Sequence, residues 1–285
     1  MNITKFFAKS EGQIKIIKKL KQLIKGFIPP HVLTQLKKLK TKKYGWHGNY
    51  ATWQEAEKES EGYDKQIIVE KVRASLKKVE HGEAVFERDS VLFFEEDFNW
   101  PFLTSILYVA SKNESQLNVI DFGGSLGSSF FQNQKFLSGI SSLNWNVIEQ
   151  NHFVEIGKNE FQNNQLKFYY TIDECFQEQK PNCLLFSSML QYVENPYQLL
   201  EGVLKYNFET IIIDRMPFNT KKANRICVQK VNPEIYDASY PCHLLEKESF
   251  VNFFRKNNYN LHAEFSAIDG DGIDYTYKGF IFERV

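Results

Sequence analysis

The chain predicts an α/β fold around a mostly parallel sheet, and three observations carry that expectation. From residue 111 onward short apolar runs alternate with helix-like segments, the order that right-handed crossovers between parallel strands require. The first run, Asn118-Val-Ile-Asp121, ends in an acid and opens into the glycine-rich turn Gly123-Gly124-Ser125-Leu126-Gly127. Such a turn lets backbone N–H groups approach a ligand closely and aims the positive end of the next helix at it, as a nucleotide-cofactor site needs. At the far end, strand-like runs over Tyr259–Ala267 and Tyr275–Glu283 flank Asp269-Gly-Asp271-Gly-Ile-Asp274, which predicts a closing antiparallel hairpin.

The chain has 285 residues, enough for one large domain plus an appendage, and its 25 Phe and 14 Tyr supply ample core material. Cys175, Cys183, Cys227 and Cys242 follow neither a zinc spacing nor a disulfide framework, so a reducing cytoplasm is the expected home and no metal is expected. Charge is segregated. Residues 1–43 carry twelve lysines against the single acid Glu11, a net of +11; 23 basic and 34 acidic residues remain over 44–285, a net of −11.

Three segments follow from this: a basic arm over 1–43, a helical cap on the substrate side over 44–110, and the cofactor-binding domain over 111–285. In the arm, Ile14, Ile17, Leu20, Leu23, Ile24 and Phe27 recur at helical spacing with lysines between them, and Pro29-Pro30 end the helix. A second basic helix follows over 31–40. The arm is not a signal peptide, since lysines interrupt every apolar core. It either lies on an anionic membrane surface or packs on its own domain. Nucleic acid fits worse, because the rest of the chain is acidic and lacks an interleaved arginine and aromatic patch.

Tyr44–Trp53, aromatic and glycine-rich, reads as an ordered loop, and Thr52 with Glu55 forms a capping box for a helix starting near Trp53. A helix is expected over residues 63–78. Next come the polar cluster Gly82–Ser90, readable as a cofactor cover or a surface loop, and a helix over Phe102–Ala110.

After the glycine turn, Trp145–Glu149 is the second strand, with an acid at its carboxyl end. Glu149 either accepts both ribose hydroxyls of an adenosine or closes an edge salt bridge. Lys167–Tyr170 is the third strand. Ile172 and Asp173 follow where such folds hold adenine, although Thr171 or Asp173 also suits a helix N-cap. Cys183–Ser188 is the fourth strand, and Thr210–Arg215 the fifth. Ligands of open α/β sheets sit beyond strand carboxyl ends, so Asp214 and Arg215 are placed for acceptor binding or proton removal, or form a plain ion pair. His243 titrates near neutrality and is a further candidate base, or a structural histidine. The Asp269–Asp274 turn opens like a calcium loop, but Phe280 stands at its twelfth position, so a hairpin turn is expected.

Several motifs carry a resemblance. Asp121-x-Gly123-x-Ser125-x-Gly127 resembles the first motif of class I S-adenosylmethionine (SAM) methyltransferases, with serine at the middle glycine, a turn that stays feasible if Ser125 keeps φ below zero. The run through Ser187-Ser188 to Gln191-Tyr192 and Asn195-Pro196 resembles their fourth motif. With Tyr50-x-x-Trp53, Gly82-Glu-Ala…Glu87-Arg88-Asp89-Ser90, Val147-Ile-Glu149-Gln150, Ile213-Asp214-Arg215-x-Pro217-Phe218 and Ala238-Ser-Tyr240-Pro241-Cys242, residues 44–285 resemble a family of SAM-dependent methyltransferases associated with bacterial surface-polysaccharide gene clusters. The resemblance implies a class I, Rossmann-like, seven-stranded fold with an antiparallel C-terminal hairpin and an N-terminal helical extension. It implies SAM as cofactor, S-adenosylhomocysteine (SAH) as product, and a glycan or glycolipid acceptor. The cofactor residues would be Asp121, Gly123, Gly124, Ser125, Gly127, Glu149, Gln150, Ile172, Asp173, Ser187 and Ser188. Asp214, Arg215 and His243 would be catalytic, and Arg88, Asp89, Gln191, Tyr192 and Tyr240 would face the acceptor. Two other functions compete: an NAD-dependent oxidoreductase, which the closing hairpin disfavours, and a non-catalytic, membrane-recruited binding module with a degenerate pocket.

Overall fold

The computed structural model describes residues 44–285 apart from 62–64, 234 and 236. The basic arm therefore lies outside the described residues, as does the start of the helix expected from 63.

The first element is a strand, β1 (Gly45–Tyr50), where the sequence suggested a loop. Thr52 caps α1 (Trp53–Lys58) by accepting from the Glu55 N–H, while the Glu55 carboxylate accepts from the Ala51 N–H at 3.0 Å. Next come α2 (Lys65–Glu80) and a hairpin of β2 (Phe86–Arg88) and β3 (Val91–Phe93). Helix α3 (Trp100–Lys112) begins earlier than its apolar period suggests, because Asn99 caps it and Pro101 fits its first turn.

The main body then alternates: β4 (Gln116–Phe122), α4 (Ser128–Leu137), β5 (Ser142–Ile148), α5 (Asn151–Ile156), β6 (Leu166–Tyr169), α6 (Ile172–Glu178), β7 (Cys183–Ser187), α7 (Pro196–Leu204) and β8 (Thr210–Asn219). Strands β9 (Arg225–Lys230) and β10 (Ser239–Leu244), helix α8 (Lys247–Lys256), and the hairpin β11 (Tyr259–Ser266) and β12 (Tyr275–Arg284) complete it. The seven-stranded sheet runs β11-β12-β8-β7-β4-β5-β6, parallel from β8 to β6, with β12 antiparallel to both β8 and β11. This is the class I SAM-methyltransferase fold. Strand order reverses between β4 and β7, so the ligand-binding crevice of such a sheet lies beyond their carboxyl ends.

Alternation along each strand feeds two cores. Val119, Trp145, Val147, Leu185 and Ile212 pack against α2, α3, α4 and α5 on one face. Ile120, Ile148, Leu184, Phe186, Ile211 and Ile213 pack against α6, α7 and α8 on the other. Much of the phenylalanine sits there: Phe250 and Phe254 of α8 meet Phe280 and Phe282 of β12, with Phe254 and Phe282 stacked at 4.1 Å. Each such ring contributes about 2–3 kcal/mol by leaving water.

A separate antiparallel sheet, β1-β9-β10, completes the fold. It joins a segment before the main body to an insertion between β8 and α8, with Gly45 paired to Lys230 and Cys227 opposite Cys242. The segment 44–110 is thus not only helical. Its first strand belongs to a sheet shared with the far end of the chain.

Candidate functional site

A cleft of about 920 Å³ opens at the carboxyl ends of β4, β5, β7 and β8, where the sheet order reverses. Its size falls within the range of small-molecule sites. The glycine turn, the β2–β3 turn, the loop after β7, β9, β10 and the β11–β12 loop surround it. A second cavity of about 690 Å³ lies behind the β2–β3 hairpin, lined by Leu76, Phe86, Phe98, Phe131 and Phe161. Glu80, Glu96, Gln132, Gln134, Lys135 and Ser138 share that lining, and the cavity brings none of the expected site residues together.

On the cofactor side, Asp121 is buried at the end of β4, and its Oδ2 accepts from Trp145 Nε1 at 3.0 Å. Burial pushes its carboxyl up to about 7 against the Trp145 hydrogen bond, and the nearby Glu149 charge adds to the rise. Gly124 lies directly over this carboxyl: a Cβ there would stand 2.5 Å from Asp121 Cγ. Asp121 thus supports the turn from beneath, and Gly124 is needed for close packing rather than for φ. Ser125 does not keep φ below zero; it sits at +56°, in the left-handed region. Glu149 and Gln150 line the cleft beyond β5, with Tyr170 beside them after β6.

On the opposite side, a bulge in β8 matters most. Ile213 pairs with Phe280 and Met216 with Lys278, so Asp214 and Arg215 together oppose only Gly279. Successive strand residues normally point to opposite faces, yet the bulge, with Arg215 at φ +56°, brings both to the cleft. Asp214 is buried. Its Oδ2 accepts from Asn99 Nδ2 at 2.9 Å and Ser187 Oγ at 3.1 Å, while its Oδ1 has no partner. Burial pushes its carboxyl up to about 6, against the Arg215 charge and those two hydrogen bonds.

Arg215 bridges two loops. It donates to Asp269 at 2.8–3.2 Å and to Asp89 Oδ2 at 2.6 Å. Burial opposes its charge, but the two carboxylates outweigh burial and hold the guanidinium well above its ordinary pKa. For Asp89 burial likewise opposes ionisation, and the Arg215 charge and hydrogen bond, with Arg88, reverse it, leaving its pKa low. Arg215 is therefore ion-paired, but with Asp89 and Asp269 rather than with its neighbour Asp214. Arg88 lines the cleft, but its guanidinium packs over Phe86 and Phe93 and reaches toward Asp97.

Tyr192 and Tyr240 meet edge to face at 5.1 Å, and Tyr192 donates to Gln229 Oε1 at 2.7 Å, tying the loop after β7 to β9. Ser188 lines the cleft and accepts from Gln191 Nε2 at 3.1 Å. Five expected residues stand outside the lining. Gly127, at φ +87°, packs on Leu166; Ile172 joins the core; Asp173 accepts from the Tyr206 hydroxyl; Gln191 sits behind Ser188. His243 stacks on Trp53 at 4.9 Å with Nε2 3.0 Å from the Glu194 carbonyl, and burial lowers its pKa. Thr171, not Asp173, caps α6, accepting from the Glu174 N–H at 3.1 Å.

Three lining residues carry roles that local pattern did not assign. Asn99 both caps α3 and donates to Asp214; its position before Trp100-Pro101 was the available signal. Glu87 is buried at the start of α4, accepting from Ser128 Oγ and from the Ser90 N–H at 2.9 Å. Burial pushes it up to about 7, against those two hydrogen bonds. Asp269 had no signal, since its partner Arg215 is 54 residues away.

Half of the non-glycine residues with positive φ line this one cleft: Asp89, Ser90, Ser125, Ser188 and Arg215, of ten among the described residues. Two buried polar atoms without a partner, Ser90 Oγ and Asp214 Oδ1, belong to the same lining. Backbone strain concentrated in this way is what functional sites show.

No protein-family model matches the chain, and no curated protein matches it. Similar solved structures include magnesium protoporphyrin IX methyltransferase from Synechocystis PCC 6803 with bound SAM, 12% identical over 65% of this chain and 79% of that one, TM-score 0.43. The N-terminal domain of EvdMO1 with SAH and D-fucose is 10% identical over 78% and 98%, TM-score 0.48. The glycopeptide N-methyltransferase MtfA complexed with sinefungin is 10% identical over 64% and 94%, TM-score 0.44. The fold itself is assigned from the seven-stranded sheet with its strand reversal and antiparallel hairpin. No helix among the described residues is long and apolar enough to cross a membrane, and no group of His, Cys, Asp and Glu among them is arranged to hold a metal ion.

Proposed function

We propose that this chain is a SAM-dependent methyltransferase that O-methylates a bacterial surface glycan or its lipid-linked precursor. The observation that carries the reading is the cleft at the strand reversal, where the glycine turn and Glu149 face the β8 bulge that presents Asp214. The backbone of Gly123–Ser125 would hold the amino-acid tail of SAM, Glu149 its ribose hydroxyls, and Gln150 and Tyr170 its adenine side. SAM supplies a methyl group already activated on a sulfonium, so alignment of the nucleophile provides much of the rate. Asp214 Oδ1, buried and without a partner, accepts the proton of the acceptor hydroxyl, while Asn99 and Ser187 hold Oδ2 and fix the carboxylate plane. Tyr192, Tyr240 and Ser188 border the acceptor. Arg215 positions the Asp89 and Asp269 loops around it.

The glycan acceptor is supported by the sequence resemblance. The membrane role of the arm is supported by its lysine-studded amphipathic pattern, each cation contributing about 1 kcal/mol near an anionic surface. Titration of the full chain with SAH and with NADH tests the cofactor: binding of NADH alone ends the reading. Mass spectrometry of the native polysaccharide with and without the gene tests the acceptor, through loss of one methyl group per repeat. Flotation of the full chain with anionic and neutral liposomes tests the arm, and equal failure on both removes the membrane role.

A further inference from the structure

The charge of the cleft separates classes of acceptor. Among the described residues its lining holds Glu57, Glu87, Asp89, Glu149, Asp214 and Asp269 besides Asp121, but only two cations, Arg88 and Arg215, and no lysine. Both arginines are already committed. Arg88 reaches toward Asp97 and covers two phenyl rings, and Arg215 is shared between Asp89 and Asp269. On the acceptor side the carboxylates of Asp89, Asp214 and Asp269 outnumber the two guanidinium groups, Arg215 and the nearby Arg88, and leave one negative charge uncompensated. One of these, Asp214, is buried and its Oδ1 has no hydrogen-bond partner. An arginine positioned to bind a phosphate presents its donors to the ligand, whereas Arg215 gives its Nε and Nη2 donors to two carboxylates on neighbouring loops. The aromatic part of the lining, Tyr192, Tyr240, Tyr277 and Trp53, suits the apolar face of a sugar ring, and the face of each aromatic ring attracts cations rather than anions.

We propose that the acceptor side of this cleft takes a sugar that is uncharged or amine-bearing where it enters, and rejects acceptors carrying a phosphate or carboxylate there. The inference rests on the methyltransferase reading and deepens it: any pyrophosphate of a lipid-linked precursor stays outside the cleft, and an acidic sugar is not the residue methylated. SAM is itself a sulfonium cation, so the same negative field favours it over its neutral product.

SAH is titrated first into the full chain, and failure to bind tells against the methyltransferase reading itself. The SAH-loaded chain is then titrated with the methyl β-glycosides of glucose, glucosamine and glucuronic acid and with glucose 1-phosphate. Glucose and glucosamine glycosides bind at least about tenfold more tightly than the two anions, the effect expected of an uncompensated charge within a few ångströms. In the double variant Asp89→Asn/Asp269→Asn, Arg215 loses both counter-charges, and the preference against the anions shrinks by about tenfold. SAH binding by the variant shows that it has folded. An anion that binds the unaltered chain as tightly as the glucose glycoside, or four probes that behave alike, including all failing to bind, overturns the inference.

Discussion

Replacement of Asp214 by asparagine separates what this residue does for the fold from what it does for the reaction. Burial raises the Asp214 carboxyl from its unfolded value of 3.8 to about 6. A raised acid means that the folded chain binds more protons than the unfolded chain between the two values, so stability falls as pH rises through that window. The cost is about 1 kcal/mol at pH 4.5 and reaches its full value of about 3 kcal/mol by pH 8. Asparagine removes the charge, and its carbonyl oxygen can still accept from Asn99 and Ser187. Asp214→Asn is therefore more stable than the parent in urea denaturation, by up to about 3 kcal/mol at pH 8 and about 1 kcal/mol at pH 4.5. Methyl transfer to a polysaccharide extract falls about 100-fold or more, as expected when a general base is lost, and the residual rate no longer climbs through pH 6. A variant with no stability gain, or with the same gain at both pH values, refutes the assignment of Asp214 as a buried, destabilised carboxylate. Unchanged transfer refutes its role as base.

Three further outcomes follow from the site. Ser125→Gly relieves a left-handed backbone and raises stability by about 0.5–1 kcal/mol in the same denaturation assay; a lower stability contradicts the turn geometry. Glu149→Ala weakens SAH binding by about tenfold in calorimetry, the loss of a hydrogen-bonded carboxylate, and an unchanged Kd removes Glu149 from the ribose site. His243→Phe leaves SAH binding intact, because His243 is outside the lining and stacks on Trp53, an interaction that phenylalanine keeps. Burial lowers the His243 pKa, so the folded state resists protonation and the parent loses stability as pH falls through 6.5; the variant lacks this part of the acid limb.

The parts of the fold legible in the sequence are those whose environment repeats along the strand. Strands β4, β5, β7 and β8 are buried on both faces, so Val-Ile, Trp-Asn-Val-Ile, Leu-Leu-Phe and Ile-Ile-Ile read as compact apolar runs, each ended by a turn signal. The small sheet hides for the opposite reason. Gly45 and Gly48 break the alternation of β1, Pro241 interrupts β10, and β1 finds its partner about 180 residues away. The site divides the same way. The glycine turn and Glu149 are local patterns, but the bulge that turns both Asp214 and Arg215 inward is not encoded in Ile-Ile-Ile-Asp-Arg. It lies opposite Gly279 of β12, whose own lack of a side chain serves packing against the Phe265 ring of β11, where a Cβ would stand 2.1 Å away.

That distinction explains where the left-handed residues fall. Asp89 and Ser90 form the two-residue connection between β2 and β3, and a hairpin turn with both central φ values positive matches the twist of its strands. Glycine or asparagine would satisfy that turn at lower cost, yet neither would supply the Asp89 carboxylate that holds Arg215. Arg215 at φ +56° likewise adopts a conformation that costs an L-residue about 1–2 kcal/mol, and a glycine there would leave Asp89 and Asp269 facing each other without a cation. Ser188 repeats the pattern: its backbone N–H donates to the Asp214 carbonyl at 3.0 Å while its hydroxyl, held by Gln191, lines the cleft. In each case the backbone takes the less favourable conformation and the side chain reaches a position that a regular strand or turn does not offer. The strain is distributed around the cleft where Asp214 Oδ1 stands without a partner, so relief by glycine at Asp89, Arg215 or Ser188 would stabilise the backbone and dismantle the site together.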